Sequence, residues 1–156
     1  LRITLLDYNW RYVLLRMYWD DSSIPQVEIP LYTLFLSGDK TAQFVSSVVG
    51  NIEITCKTNR TDIHIQNIGY VNFPMPYWQN AKIAIQKLAE NDTIKGGVIC
   101  YEVLTTSQYY AKNDTGYFYI QNNYFSGNLF DYRTILKLNN AWGHVVGSYL
   151  LFDNFR

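Results

Sequence analysis

Apolar and polar residues alternate along much of this chain, in short runs separated by polar turns. A period of two is the signature of strands with one face in a core and the other in water. Asp62-Ile63-His64-Ile65-Gln66 shows it most plainly, with both isoleucines on one side. Strands are predicted over Arg2 to Leu6, Tyr12 to Trp19, Gln26 to Ile29, Phe44 to Val49, Ile52 to Cys56, Asp62 to Gln66, Lys82 to Leu88, Val98 to Thr105, Gly116 to Asn122, Thr134 to Leu138 and His144 to Phe152. Between them lie Asp20-Asp21-Ser22-Ser23, Ser37-Gly38-Asp39, Thr58-Asn59-Arg60, Glu90-Asn91-Asp92 and Asn113-Asp114, residue types that suit tight turns. Only Asn80 to Ala89 has a helix-like composition, and Lys82-Ile83-Ala84-Ile85-Gln86 within it alternates, so a strand is predicted there too.

Regular short strands without intervening helices indicate an all-β sandwich or barrel and argue against an α/β fold. A chain of 156 residues is long enough for one domain, here residues 1–156, with a core that needs no staples. Alternation places Met17, Val27, Ile29, Ile63, Ile65, Ile83, Ile85, Val98, Cys100 and Val146 on inward faces.

Charge narrows the partners. Lys plus Arg balances Asp plus Glu at 13 each, so no net field attracts nucleic acid or an anionic membrane, and neither is expected as a partner. No apolar run reaches the roughly 20 residues of a membrane-spanning helix. The opening Leu-Arg-Ile-Thr-Leu-Leu lacks a methionine and a signal-peptide layout, and reads as a segment of a longer chain. Asn59, Asn91 and Asn113 begin acceptor sequences for N-glycosylation, which fits an extracellular setting better than a cytoplasmic one. Cys56 and Cys100 sit in strands without further Cys or His at metal-ligand spacing, and are read as buried free thiols.

Chemistry-bearing groups are sparse. His64 and His144 are the only histidines, and no serine lies in a Gly-x-Ser-x-Gly elbow, so neither a triad, a resident metal nor a cofactor is expected. Gly96-Gly97 leads into a strand, which is not the helix N-terminus a phosphate loop requires. Glycoside hydrolysis needs two carboxyl groups across a sugar. Asp20 and Asp21 belong to a turn, Glu28 and Glu102 lie within strands, and no catalytic residue is assigned among them. The unusual component is aromatic, with 14 Tyr, 8 Phe and 4 Trp, side chains suited to cores, interfaces and sugar faces alike. Trp19 and Asp20 at a strand end, with Trp78, form the candidate carbohydrate-binding set. Phe73-Pro74-Met75-Pro76-Tyr77-Trp78 cannot pair as a central strand and is expected to be a rigid loop at a sheet edge or subunit contact.

Five blocks in order carry a resemblance: Leu14-Leu15-Arg16-Met17-Tyr18-Trp19-Asp20, Pro25-Gln26-Val27-Glu28-Ile29-Pro30-Leu31, Phe73-Pro74-Met75-Pro76-Tyr77, Gly116-Tyr117-Phe118 and Gly143-His144-Val145-Val146-Gly147. Together they resemble glycoside hydrolase family 172, first catalogued as domain of unknown function 2961. The resemblance implies a jelly-roll β-sandwich related to double jelly-roll viral capsid proteins, of which this chain would be the first roll. It also implies assembly as trimers or larger, and in active members action on furanosides. The chain departs from the family pattern at Thr33, where an acidic residue is usual, at Trp78 and Gln79, where basic residues are common, and at Tyr119, where a histidine is usual. The family's catalytic glutamates fall beyond the Gly-His block, and no residue here matches them.

The expected function is therefore a structural, self-assembling jelly-roll domain, capsid-like or surface-assembly in character, that lacks the family's catalytic carboxylates. Its expected partners are copies of itself or a companion jelly-roll domain. Two alternatives are a fragment of an active furanoside-directed hydrolase and a carbohydrate-binding module built on Trp19, Asp20 and Trp78.

Overall fold

The computed structural model describes residues 1–6, 10–35, 44–57, 63–88 and 98–120, together with the single positions Lys137 and Gly143. Its strands are β1 (Arg2–Leu6), β2 (Val13–Trp19), β3 (Val27–Pro30), β4 (Phe44–Val45), β5 (Val49–Lys57), β6 (Ile63–Val71), β7 (Ala81–Lys87) and β8 (Val98–Glu102). They form two antiparallel sheets, a larger one in the order β4-β5-β6-β1-β8 and a smaller one in the order β3-β2-β7. Among the described residues helix is confined to α1 (Leu31–Leu34) and a 3-10 turn at Trp10–Tyr12. The fold is an all-β sandwich of two antiparallel sheets. The chain crosses between sheets after β1, β3, β6 and β7, and β4 with β5 extends the larger sheet.

One cluster fills the space between the sheets. Ile3 and Leu5 of β1 meet Val13, Leu15 and Met17 of β2 and Val27 and Ile29 of β3, all at 4% exposure or less. These are alternate residues on each strand, as a pleated surface with one buried face requires. On the outer side of the smaller sheet Arg16 of β2 bonds Glu28 of β3 at 2.6 Å and Gln86 of β7 at 2.6 Å. Shortening Ile29 to valine removes one buried methylene and is expected to cost about 1 kcal/mol in urea denaturation. A loss indistinguishable from zero would remove Ile29 from the core.

One short element, α1, follows from local packing. After Pro30 fixes the backbone at φ −62°, Leu31 to Leu34 make a single helical turn closed by Phe35 N–H donating to Leu31 O at 2.9 Å. Four residues are too few for helical periodicity to show in sequence. The turn buries Leu31, Leu34 and Phe35 and brings Phe35 edge-on to Trp10, with ring centroids 5.0 Å apart.

Several expectations are corrected. Val98 and Cys100 are exposed, because antiparallel register sets Leu5 opposite Ile99 and so gives Ile99 the inner side, on a strand at the edge of the larger sheet where Tyr101 is exposed as well. Ile83 and Ile85 are half-buried at the core margin, on a strand whose one described neighbour is β2. The strand expected over Phe44 to Val49 is broken at Ser46 to Val48, where the Ser46 hydroxyl accepts from Val48 N–H and Val49 N–H at 3.3 and 3.1 Å, and Val49 begins β5. β6 runs on to Val71, five residues past Gln66, and β8 stops at Glu102, three short of Thr105. Gly116 to Ile120 is not a strand, and its one ladder contact is a parallel bridge from Ile120 to Val27. Thr134 to Leu138 apart from Lys137, His144 to Phe152, Val146, and the side chains of Cys56, Ile63 and Ile65 lie outside the described residues.

Candidate functional site

The end of β2 is where the structure gathers its polar chemistry. Asp20 and Asp21 follow Trp19 with φ of 50° and 62°. This left-handed region is one that aspartate tolerates better than most residues. The bend closes with Ser22 N–H donating to Trp19 O at 3.2 Å, and Asp20 N–H extends the β2–β7 ladder to Asn80 O at 2.9 Å. The turn aims the Asp20 carboxylate at the end of the Phe73–Trp78 loop.

There Asp20 accepts from Trp78 N–H at 2.9 Å, Gln79 N–H at 2.7 Å, Asn80 N–H at 3.2 Å and the Tyr117 hydroxyl at 2.8 Å. Desolvation opposes its ionisation, yet the bonds from Gln79, Tyr117, Trp78 and Asn80 together outweigh it and hold the carboxyl below its ordinary value. The same bond to Asp20, followed by desolvation, pushes the Tyr117 hydroxyl up. Asp21 is engaged as well, accepting from Asn80 Nδ2 at 2.6 Å.

Around the carboxylate the aromatics are interlocked. Trp78 meets Tyr117 edge-on at 4.9 Å, donates from Nε1 to Tyr110 O at 3.0 Å, and has Lys112 Nζ 5.8 Å from its ring centre. Trp19 points the other way, into the core at 2% exposure, and its Nε1 donates to Phe118 O at 2.9 Å. Phe118 stacks on Phe73 at 5.7 Å. Of the three expected binding residues, Asp20 and Trp78 are therefore in direct contact, whereas Trp19 contributes packing and a strap to the 116–120 segment. Replacing Trp19 with phenylalanine keeps most of the apolar volume but removes the bond to Phe118 O, an expected loss of about 1 kcal/mol. Thermal melts of the two proteins measure it, and identical melts would show that the bond contributes nothing.

As chemistry, the arrangement is a clamp. A carboxylate filled by four donors has no free proton to give and little acceptor capacity left for a sugar hydroxyl. Glu28 is tied to Arg16 on the outer side of the smaller sheet. No group of three His, Cys, Asp or Glu side chains among the described residues is placed to hold a metal ion. Two shallow depressions lie elsewhere, where β1 meets β8, one lined by Leu1, Arg2, Tyr70, Asn72, Glu102 and Leu104. The other is lined by Arg2, Thr4, Cys100, Tyr101 and Glu102. Sequence reasoning missed Gln79, Asn80 and Tyr117 as partners of Asp20, since 59, 60 and 97 residues separate them from it. The one available signal was an aspartate pair at a strand end.

The molecule is thus an all-β sandwich with an acidic clamp at one end of its smaller sheet. Residues 3–98, more than half of the chain, match the family model described as GH172 domain-like, and the chain belongs to that family. The matched span contains the Leu14–Asp20, Pro25–Leu31 and Phe73–Tyr77 blocks, and the blocks at Gly116 and Gly143 lie beyond it. No curated protein and no solved structure matches the chain.

Proposed function

We propose that this member of the GH172-like family is a structural, self-assembling sandwich domain that does not itself carry out glycoside hydrolysis. The observation that supports this reading most directly is the Asp20 clamp. The most conspicuous carboxylate of the described residues is engaged by four donors from the loop after Phe73 and from Tyr117, which is how a group fastens a fold together. Retaining and inverting hydrolysis both require a facing pair of carboxyl groups about 5 to 9.5 Å apart, one of them holding a proton near neutral pH. Asp20 is held in the opposite state. Abundant tyrosine and near-zero net charge suit contact with further copies or with a companion jelly-roll domain.

Two measurements test the proposal together. Assays with arabinofuranosides and fructofuranosides are expected to release no sugar, and light scattering at micromolar concentration is expected to show a trimer or larger species, or a stable complex with a second sandwich domain. A monomer that hydrolyses a furanoside would overturn it, and would favour the reading of this chain as part of an active hydrolase.

Carbohydrate binding is the second reading, and the observation that favours it is the half-buried ring of Trp78 with Lys112 beside it. With Trp19 in the core, Trp78 is the ring on which a sugar would stack. Isothermal titration should then show heat with the native protein at millimolar furanoside and none with Trp78→Ala. Absence of heat with both removes this reading.

A further inference from the structure

One motif takes no part in the core or in the clamp. Asn113-Asp114-Thr115 is an Asn-x-Thr sequence at the tip of a tight turn. Asp114 N–H donates to Ala111 O at 3.0 Å, which puts Lys112 and Asn113 at the two corner positions. Lys112, Asn113 and Asp114 are all exposed. The two corner side chains are used differently. Lys112 Nζ lies 5.8 Å from the centre of the Trp78 ring, so that corner turns toward the protein. Asn113 makes no such contact. Among the described residues neither its amide nor the Thr115 hydroxyl has a hydrogen-bond partner. Asn51, Asn72 and Asn80, by contrast, each commit Nδ2, to Phe35 O, Ser47 O and Asp21 Oδ1. The surroundings are open as well. A Cβ built on Gly116, the residue after Thr115, meets nothing within 4 Å among the described residues, and residues 103–115 belong to no strand. A bulky group on Asn113 therefore displaces no packed side chain and breaks no ladder.

We propose that Asn113 is an N-glycosylation site. The co-reactant is an oligosaccharide joined through diphosphate to a polyprenol. Asn113 Nδ2 forms a bond to the anomeric carbon of the first sugar as the bond from that carbon to the diphosphate oxygen breaks. Polyprenyl diphosphate leaves with the electron pair, and the amide nitrogen gives up one proton. Nothing is oxidised or reduced. The Thr115 hydroxyl, two residues on, completes the acceptor sequence. The fold has a permissive part, because a large hydrated group must end up outside it. The exposed, unbonded amide at a turn tip meets that condition. Asn59 and Asn91 begin the same motif but lie outside the described residues, so Asn113 is the acceptor for which the fold itself speaks. The inference stands apart from the hydrolysis and assembly readings and survives the failure of either.

The test expresses the full chain behind a cleavable secretion leader in eukaryotic cells. Glycosylated asparagines are mapped by peptide mass spectrometry after an amidase has converted them to aspartate, in the secreted protein and in any retained by the cells. Most chains are expected to carry a glycan at Asn113. Asn113→Gln and Thr115→Ala should each remove that one glycan, and Thr115→Ser should keep it. Thermal melts of the glycosylated protein and of Asn113→Gln should both be cooperative, with closely similar midpoints. An unmodified Asn113 peptide in both fractions would overturn the proposal, whether or not Asn59 or Asn91 is occupied. So would a glycan at Asn113 that persists in Thr115→Ala, since recognition would then not follow the motif. A midpoint raised sharply by Asn113→Gln would show that the glycan strains the fold, and the open placement of Asn113 would be wrong.

Discussion

Replacing Gly69 with valine is expected to destabilise the sandwich by about 3 kcal/mol or more, at the upper end of what overpacking a core costs. Gly69 lies on β6 opposite Ile3 of β1 and Asn51 of β5, on the inner side of the larger sheet. A Cβ added there would stand inside the ring of Phe35. That ring has nowhere to go. It is fully buried, meets Trp10 edge-on, and its own carbonyl accepts from Asn51 Nδ2 at 2.7 Å, so displacing Phe35 would also break a buried hydrogen bond. Alanine alone should cost a substantial part of this, and valine more, because its γ-carbons project further. Urea denaturation of Gly69→Ala and Gly69→Val gives both values. If Gly69→Val matched the native midpoint, the placement of Phe35 against β6 would be wrong. A double variant with Phe35→Leu should recover part of the loss, since the two residues compete for one volume.

Phe35 also shows what the amino-acid sequence makes legible and what it hides. Alternation is a local property, so it predicts β1 at its observed bounds, and β2, β3 and β7 within a residue or so at each end. The phase of a strand is local only when polar residues mark one side. Val98-Ile99-Cys100-Tyr101 is apolar throughout, and its inner side is decided by pairing with β1, some 95 residues earlier in the chain. Gly116 to Ile120 misled for a related reason. Its aromatic run has strand propensity, but its segment is held by a side-chain bond from Tyr117 to Asp20 and by the Trp19 ring at Phe118 O. Those partners come from the far end of β2. The candidate site was legible to the extent that Trp19-Asp20 sits at a strand end and Phe73 to Trp78 is a stiff loop. That the two meet, and that Asp20 is consumed in the meeting, depends on contacts no sequence spacing expresses.

The polar clamp supplies the second large effect. Asp20→Ala removes the acceptor shared by Trp78, Gln79, Asn80 and Tyr117. Bonds to a charged acceptor contribute about 1.5 to 3 kcal/mol each where water is excluded, but much of this site is open to solvent, which replaces part of what is lost, so a net cost of about 2 kcal/mol is expected. The pH dependence identifies the mechanism. Asp20 is held below its ordinary value of 3.8 in the folded chain, so the folded state favours the ionised form. Its contribution is complete above the unfolded value, and it disappears as pH falls through the lower folded value. The stability gap between native protein and Asp20→Ala should therefore stay constant from neutral pH to about pH 5 and shrink below about pH 4. Tyr117→Phe, which removes one of the four donors, should open a smaller gap with the same acid dependence. Urea denaturation at a series of pH values measures all three proteins. A gap that stays the same size into acid would mean that the Asp20 side chain acts by shape and not by charge, and the clamp would then have to be reassigned to the turn backbone that Asp20 and Asp21 hold at positive φ.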